Sequence, residues 1–414
     1  MNKRKLVITS GVANTFEWYD YALFGHFAPI IGQKFFPSND PNALLLQVFL
    51  VFAVGYLMRP IGGIFFGIIG DKFGRKSALS LAVMCMAIPT AAIGFLPTHE
   101  TWGISATVGM ILCRMIQGLS MGGALTGSIT FIIEHANRNR RGILGSVAMM
   151  SICLGILLGS LISYLTKNIF SVEQFDMWAW RLPFIIGIIV FCVGVYIKNN
   201  THETPLFAQA KYSGKIHKSP LSSVLKNHWF DMLISILINA TGSIIFYFEA
   251  IYLISYLKVN RNFSEGNVEI LVNICYVIMI FATLCAGWLS DKIGRKKIFI
   301  ITLVLIIILS PVLFKIFETA SFYQVVFAQI AIAVIAALYI GPEPALQAEF
   351  YPTEIRNTAL AIAYNTATSV FGGTTPYIIE SLVQHTGTIT AGVYYIVISS
   401  ITGLCALYFY QDRS

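Results

Sequence analysis

Twelve stretches of this chain are each long and apolar enough to cross a lipid bilayer, and nothing else about it limits its fold so severely. A hydrocarbon core about 30 Å thick takes roughly 20 apolar residues of helix. Runs of that kind fall at about 6–33, 44–69, 77–96, 103–134, 142–166, 179–198, 228–257, 267–290, 297–317, 321–349, 356–384 and 388–410. Inside a bilayer every backbone polar group must be satisfied internally, which leaves only helices and closed barrels. The two-residue alternation of barrel strands is absent. The composition agrees: 56% of the residues are hydrophobic and 12% charged, against about 25% charged in soluble domains. The expected class is an all-α integral membrane protein with twelve transmembrane helices.

The formal charge of +8 invites a nucleic-acid reading, but its distribution answers it. With the N-terminus inside, Lys3, Arg4, Lys5, Lys72, Arg75, Lys76, Arg138, Arg140, Arg141, Lys198, Lys211, Lys215, Lys218, Lys226, Lys292, Arg295, Lys296, Lys297, Arg356 and Arg413 share one side. Only Lys34, Lys167, Arg181, Lys258, Arg261 and Lys315 take the other, and Arg59 and Arg114 lie within spans. Lys and Arg accumulate on the cytoplasmic side, so both termini are expected in the cytoplasm and no nucleic-acid partner is needed. The seven cysteines all sit in apolar runs without paired spacing, and read as small buried hydrophobes. The first apolar run is interrupted by Glu17 and Asp20 and has no small-residue cleavage site. It is expected to stay as a first membrane helix.

The longest polar stretch, 199–227, divides the chain into an N-terminal six-helix half, 1–198, and a C-terminal one, 228–414, joined by a cytoplasmic linker. Residues 67–76 read Gly-Ile-Ile-Gly-Asp-Lys-Phe-Gly-Arg-Lys and residues 287–296 read Gly-Trp-Leu-Ser-Asp-Lys-Ile-Gly-Arg-Lys. Glu134 and Arg141 after helix 4 are echoed by Glu349 and Arg356 after helix 10. One copy would be a basic turn and no more. Two copies at matched positions point to a parallel repeat of six helices, which suits a large class of secondary transporter.

On these residues the chain resembles the major facilitator superfamily, and more closely its metabolite:proton symporter family, to which proline/betaine transporters belong. The resemblance is carried by Glu17-Trp-Tyr-Asp20-Tyr21, Arg59-Pro-Ile-Gly-Gly63, Arg114 with Gln117-Gly118 and Gly122-Gly123, Trp180-Arg181-Leu-Pro183, Glu203-Thr-Pro205-Leu-Phe207, and Glu349-Phe-Tyr-Pro352-Thr-Glu-Ile-Arg356. It covers nearly the whole chain. It implies an inner gate of Asp71, Arg75, Glu134, Arg141, Asp291, Arg295, Glu349 and Arg356, whose charges bridge the two halves. Ala124 stands where the family commonly has an acidic residue. No long C-terminal coiled coil follows the last helix, so osmotic sensing by that device is not expected.

An ionisable group within a span marks a functional site by default. Glu17 and Asp20, three apart on helix 1, share a face. Two carboxylates in low dielectric cannot both carry charge cheaply, which suits a proton carrier. Arg59 and Arg114 keep their protons and must meet a carboxylate or an anionic substrate. Tyr21, Arg59, Arg114, Gln117, Asn239, Tyr247, Glu249, Asn273, Tyr276, Tyr364 and Asn365 are the substrate-binding candidates. Glu343, between two prolines, would line a cavity if helix 10 breaks there. His26 reads as a buried, satisfied histidine. The glycine pairs Gly63/Gly67, Gly118/Gly122, Gly123/Gly127 and Gly155/Gly159 let helices approach closely.

The expectation is a monomeric secondary transporter of the inner membrane. It imports a small, carboxylate-bearing metabolite with protons by alternating access. No metal, cofactor or catalytic constellation is expected, and so no enzyme. The rivals are a proton-independent uniporter or exchanger of organic anions, and a channel.

Overall fold

The computed structural model describes residues 3–36, 41–216 and 219–410, and every regular element among them is helical. Lys218 and Arg413 of the charge bias lie outside the described residues, as do the side chains of Lys3, Arg4 and Lys5. In chain order the helices are α1 (Lys3–His26), α2 (Ala28–Phe35), α3 (Pro41–Phe73), α4 (Arg75–Phe95), α5 (His99–Trp102), α6 (Ile104–His135), α7 (Arg141–Ile169), α8 (Val172–Met177), α9 (Leu182–Ile185), α10 (Gly187–Asn200) and α11 (Pro205–Tyr212). Then follow α12 (Pro220–Asn227), α13 (Trp229–Tyr247), α14 (Leu253–Val259), α15 (Glu265–Ile293), α16 (Arg295–Thr319), α17 (Phe322–Ile340), α18 (Glu343–Phe350), α19 (Arg356–Ala367), α20 (Thr375–Thr386) and α21 (Gly392–Phe409). The chain forms two compact units: Met1–His135 with Ser151–Pro220, and Ala136–Met150 with Leu221–Ser414.

Ten helices among the described residues are long and apolar enough to cross a membrane. The remaining two of the twelve expected spans fall short for a reason tied to the candidate site. Helix α1 carries Asn14, Thr15, Glu17 and Asp20, which dilute its hydropathy. The eleventh span carries Asn357, Thr358, Asn365, Thr366 and Thr368, and a π turn at Thr368–Gly372 lies between α19 and α20. A second π turn, Phe248–Tyr252, joins α13 to α14. The tenth span breaks at Gly341–Pro342 between α17 and α18, because proline cannot donate the amide that would continue the ladder.

The two repeated turns share one backbone device. Gly74 (φ 112°) and Gly294 (φ 96°) occupy the region that glycine enters without steric cost. Each ends one long helix and lets the next begin at once, at Arg75 and Arg295.

Packing in the first unit is closest between α3 and α6. A β-carbon on Gly118 would stand 1.7 Å from the Gly55 carbonyl oxygen, and one on Gly62 would stand 1.8 Å from that of Leu119. The two backbones are therefore in direct contact, as small residues permit in membranes. Gly155 meets the Thr15 carbonyl in the same way, at 2.3 Å. Gly127 differs, since its nearest neighbour would be 3.9 Å away and it permits rather than enforces a close approach. At one end of the first unit, Phe27, Phe35, Trp180 and Phe184 form a buried cluster of edge-to-face rings. Leu57, Ile88, Phe281 and Ile308 are exposed, as lipid-facing side chains are. Three of the seven cysteines, Cys192, Cys285 and Cys405, are exposed as well, so not all of them are core residues. His26 is exposed too, contrary to the buried role expected for it, and its carbonyl accepts from Lys167 Nζ at 3.1 Å.

This packing makes a pair of opposite expectations. Gly118→Val must push α3 from α6 and should cost at least about 1–3 kcal/mol, lowering the melting temperature in detergent. Gly127→Ala should be neutral or stabilising, because alanine is the better helix former by about 0.5–1 kcal/mol. Equal melting temperatures for the two variants would contradict the packing.

Candidate functional site

The glycine contact between α3 and α6 sets the first cluster of polar groups in register. Gly122 lies against the Arg59 backbone, where a β-carbon would be 2.1 Å from its carbonyl oxygen. Arg59, Arg114 and Gln117 thus sit at neighbouring levels on two touching helices. Helix α1 brings Glu17 and Asp20 to them, and α4 brings Thr90.

Asp20 is 1% exposed. Arg114 Nη1 donates to its Oδ2 at 3.1 Å, and Gln117 Nε2 donates to its Oδ1 at 3.0 Å. Gln117 Nε2 also lies 2.8 Å from Thr90 Oγ1, which in turn donates to the Met86 carbonyl. The Arg114 guanidinium covers the Phe24 ring, 3.4 Å from its centroid, a cation–π contact that strengthens where water is excluded. Its Nε and Nη2 have no hydrogen-bond partner.

One turn away the arrangement is looser. Arg59 is fully buried, with its guanidinium 4.9 Å from the centre of the Tyr56 ring. Tyr56 in turn meets Tyr21, which packs on Trp18. Glu17 is 2% exposed, and neither of its carboxyl oxygens has a hydrogen-bond partner. The charge acting on it is that of Arg59. The structure therefore gathers Glu17, Asp20, Tyr21, Arg59, Arg114 and Gln117 within one unit. Thr90 and Tyr56 join them without having been singled out from the sequence. The signal for Tyr56 was its spacing of three from Arg59; for Thr90 there was only a hydroxyl beside Pro89.

In the second unit the candidates are spread along two interrupted helices. Glu249 lies within the π turn at Phe248–Tyr252, 1% exposed, with Oε2 unpartnered. Ser243 and Thr368 bring their hydroxyls within 3.4 Å, and Gly372 packs against Tyr247, so the Thr368–Gly372 turn packs on the end of α13, just before the other π turn. Such insertions recur at functional sites. Asn239 and Asn365 donate to carbonyls one turn back, Ser235 and Ala361, at 2.9 and 2.8 Å. Tyr247 and Tyr276 are buried, while Asn273 and Tyr364 are half-buried. Gln329, not foreseen, is fully buried with neither amide atom hydrogen-bonded; a lone glutamine in an apolar run was its only mark.

At the repeated turns the charges are densely paired. Arg75 meets Asp71 at 3.0 Å and Glu134 at 3.2 Å, donates to the Gly70 carbonyl at 2.6 Å, and stacks over Phe207. Thr204 donates to Glu134 at 2.5 Å and caps α11 by accepting from the Phe207 amide. Glu203 accepts from the amides of Arg75, Lys76 and Thr204. Its carboxylate closes the N-terminus of α4, where negative charge is favoured. The Glu203-Thr-Pro205-Leu-Phe207 motif is thus a clamp between α4, α6 and α11. In the second unit Asp291 meets Arg295 at 3.2 Å and accepts from the amides of Gly142 and Ile143 at 2.8 and 2.9 Å. Glu349 takes Arg295 at 2.5 Å and Arg141 at 3.5 Å. Arg356 is buried and donates to the Tyr351 carbonyl.

Residues 6–219 match the family of sugar (and other) transporters, and residues 248–414 match the Major Facilitator Superfamily. The proline/betaine transporter of Salmonella typhimurium is 30% identical over 412 residues, covering 97% of this chain and 82% of that protein. The glycine betaine/proline/ectoine/pipecolic acid transporter OusA of Dickeya dadantii is 29% identical, covering 99% of this chain and 84% of its own. Among solved structures, the proton:xylose symporter XylE bound to 6-bromo-6-deoxy-D-glucose superposes with a TM-score of 0.81 at 18% identity, over 98% of this chain and 94% of the other. That likeness is one of fold.

The clamp gives a pH dependence. Burial lifts the Glu203 carboxyl above its ordinary value of 4.5, outweighing the three amides and Arg75, which pull it down. The folded chain then holds a proton that the unfolded chain has already released. That contribution is complete below the ordinary value and is lost as pH rises through the folded one. The melting temperature of the parent protein relative to Glu203→Gln should therefore fall between pH 5 and pH 8. A difference that is flat or rises with pH would contradict the burial argument.

Proposed function

The chain belongs to the major facilitator superfamily, and we propose that it imports a small zwitterionic or monocarboxylate metabolite together with protons, by alternating access. It is a multi-pass membrane transporter, and its relatives are transporters rather than enzymes. We place it in the inner membrane with both termini in the cytoplasm, on the strength of the Lys and Arg bias. The observation that carries the reading is the Glu17–Asp20–Arg59–Arg114–Gln117 cluster: two buried carboxyls and two buried guanidiniums on α1, α3 and α6, with Glu17 lacking any donor. The names of its relatives, proline/betaine transporters, support the substrate class.

The chemistry works as follows. Arg114 holds the Asp20 carboxylate, and a substrate carboxylate that takes over this guanidinium leaves Asp20 without its counter-charge. A buried carboxylate stripped of its partner is strongly destabilised, by about 3–5 kcal/mol, and a proton relieves that cost. Binding of substrate and binding of proton then favour one another. Arg59, Tyr56 and Tyr21 supply a second cationic and aromatic wall, suited to a carboxylate at one end and an ammonium at the other.

A rival reading, a proton-independent uniporter or exchanger of organic anions, keeps the Asp20–Arg114 pair closed throughout. Two variants separate them. Asp20→Asn should abolish accumulation driven by a pH gradient in proteoliposomes. Asp20→Asn combined with Arg114→Gln should recover the stability of the parent protein, since no unmatched charge remains, yet still fail to accumulate. Accumulation at the parent level by either variant would refute the proton role of Asp20.

The energetics make the charge of the substrate measurable. A proton carried with a zwitterion moves net positive charge inward, so a 100 mV potential adds about 2.3 kcal/mol to the roughly 1.4 kcal/mol of one pH unit. Together they allow accumulation of roughly a few hundredfold. A monoanion with one proton is electroneutral and reaches only about tenfold from the pH term. Proline and betaine uptake should therefore respond to an imposed potential, and Arg59→Gln should raise KM steeply or abolish uptake. Potential-independent uptake would exclude the zwitterion, and normal transport in Arg59→Gln would return that arginine to a structural network.

A further inference from the structure

We propose that Glu343 and Asn239 form a second proton-binding site, in the C-terminal unit and separate from the Glu17–Asp20 cluster, with Glu343 carrying the proton and Asn239 accepting its hydrogen bond. The proposal rests on the proton-coupled reading above and adds a carrier to it. Glu343 opens α18, just past the break in the tenth span. Its Oε2 lies 3.4 Å from where a β-carbon on Gly242 would stand, and the Tyr339 ring closes the same position at 2.9 Å. Asn239 precedes Gly242 by three residues on α13, so it lies on the same face one turn away. The helices are held in register one turn farther on, where the Ser235 hydroxyl donates to Gln347, four residues after Glu343.

Two acceptor oxygens without a donor lie along this seam. Asn239 spends Nδ2 on the Ser235 carbonyl, and its Oδ1 is buried without a partner. Glu343 Oε1 is buried without a partner too. The residues are 1% and 4% exposed. A buried acceptor left unmade is costly, and a buried charge more so. One proton on Glu343 turns one of the two acceptors into a donor and satisfies both.

Among the described residues, no cation stands ready to do this instead. The stretches packed around the site are Ile234–Tyr247 of α13, Val272–Ser290 of α15, Ile298–Phe314 of α16, the whole of α17, and Asn357–Ala367 of α19; none contains Lys, Arg or His. Their titratable side chains are Tyr247, Cys275, Tyr276, Cys285, Tyr323, Tyr339 and Tyr364. The Tyr339 hydroxyl is spent on the Ile238 carbonyl at 2.8 Å. Pro344 removes one amide from the first turn of α18, weakening the helix terminus as an anion site. A hard metal ion gathers about six oxygens, and the seam offers two orphans.

The test reads the proton directly. Difference infrared spectra of the purified protein in lipid discs at pH 7 should show a protonated carboxyl C=O band that is lost in Glu343→Gln, shifted in Asn239→Ala, and kept in Asp20→Asn. Accumulation driven by a pH gradient should fall at least tenfold in Glu343→Gln. Identical carboxyl bands in parent and Glu343→Gln, parent-level accumulation in that variant, or stabilisation by sodium that requires Glu343 would each overturn the site. If Glu343→Gln does not fold, an unshifted band in Asn239→Ala overturns it alone. The spectrum needs no substrate. A missing Glu343 band leaves proton symport at Asp20 standing, whereas a band present without pH-driven uptake defeats the symport reading and leaves the protonated site.

Discussion

Charge buried where no solvent can reach it is the constraint on which the interior of this protein depends. Each ionised group in an apolar helix costs several kcal/mol unless a partner stands beside it. Asp20 and Arg114 meet that demand with a direct pair and one contact from the Gln117 amide. Arg59 and Glu17 meet it more loosely, by field and aromatic faces. Glu343 Oε1 and Glu249 Oε2 are buried without a hydrogen-bond partner. The series runs from a carboxylate fully matched by protein to carboxyls matched by nothing fixed. A carrier of protons and carboxylates needs both kinds, because what the protein leaves unmatched is what its cargo can match.

The glycine seam makes this arrangement possible. Backbone contact between α3 and α6 brings Arg59 and Arg114 closer than two helices with ordinary side chains between them would allow. Each guanidinium is a buried positive charge, and the carboxylates of α1 offset that charge. Sterics and electrostatics are thereby coupled: the small residues that permit the approach also create the need for Glu17 and Asp20. Gly155 repeats the device between α7 and α1 at Thr15, two residues before Glu17.

Much of the fold was legible because the bilayer permits so few solutions. Apolar runs, the Lys and Arg bias and the repeated Asp-Lys-x-Gly-Arg-Lys turn each express a constraint that acts along the sequence. The Glu17–Asp20 face was legible for the same reason, since helical spacing is local. What escaped notice is three-dimensional. Thr90 matters only because α4 brings its hydroxyl to Gln117. Glu203 was visible as part of a motif, but its work as the cap of α4 is a contact across 128 positions. The π turns depend on packing that admits one extra residue, and neither Phe248–Tyr252 nor Thr368–Gly372 has a proline to announce it. His26 was misplaced because polarity alone does not tell a buried helix end from an exposed one.

The two copies of the repeated turn show how little a shared motif dictates. Each copy places Asp, Gly and Arg so that the aspartate and arginine pair four residues apart. In the first unit Asp71 and Glu134 saturate Arg75, and the free amides at the start of α4 are taken by Glu203 from outside the motif. In the second unit Asp291 does two jobs, holding Arg295 and accepting the amides at the start of α7. In the first turn Asp71 and Arg75 are committed within one clamp. The second commits an aspartate to a helix end through charge-assisted hydrogen bonds, which are the stronger kind. Duplication therefore supplied the geometry of a sharp basic turn. The residues around each copy, Glu203 and Phe207 in one case and Gly142 and Arg141 in the other, decided what that turn would hold.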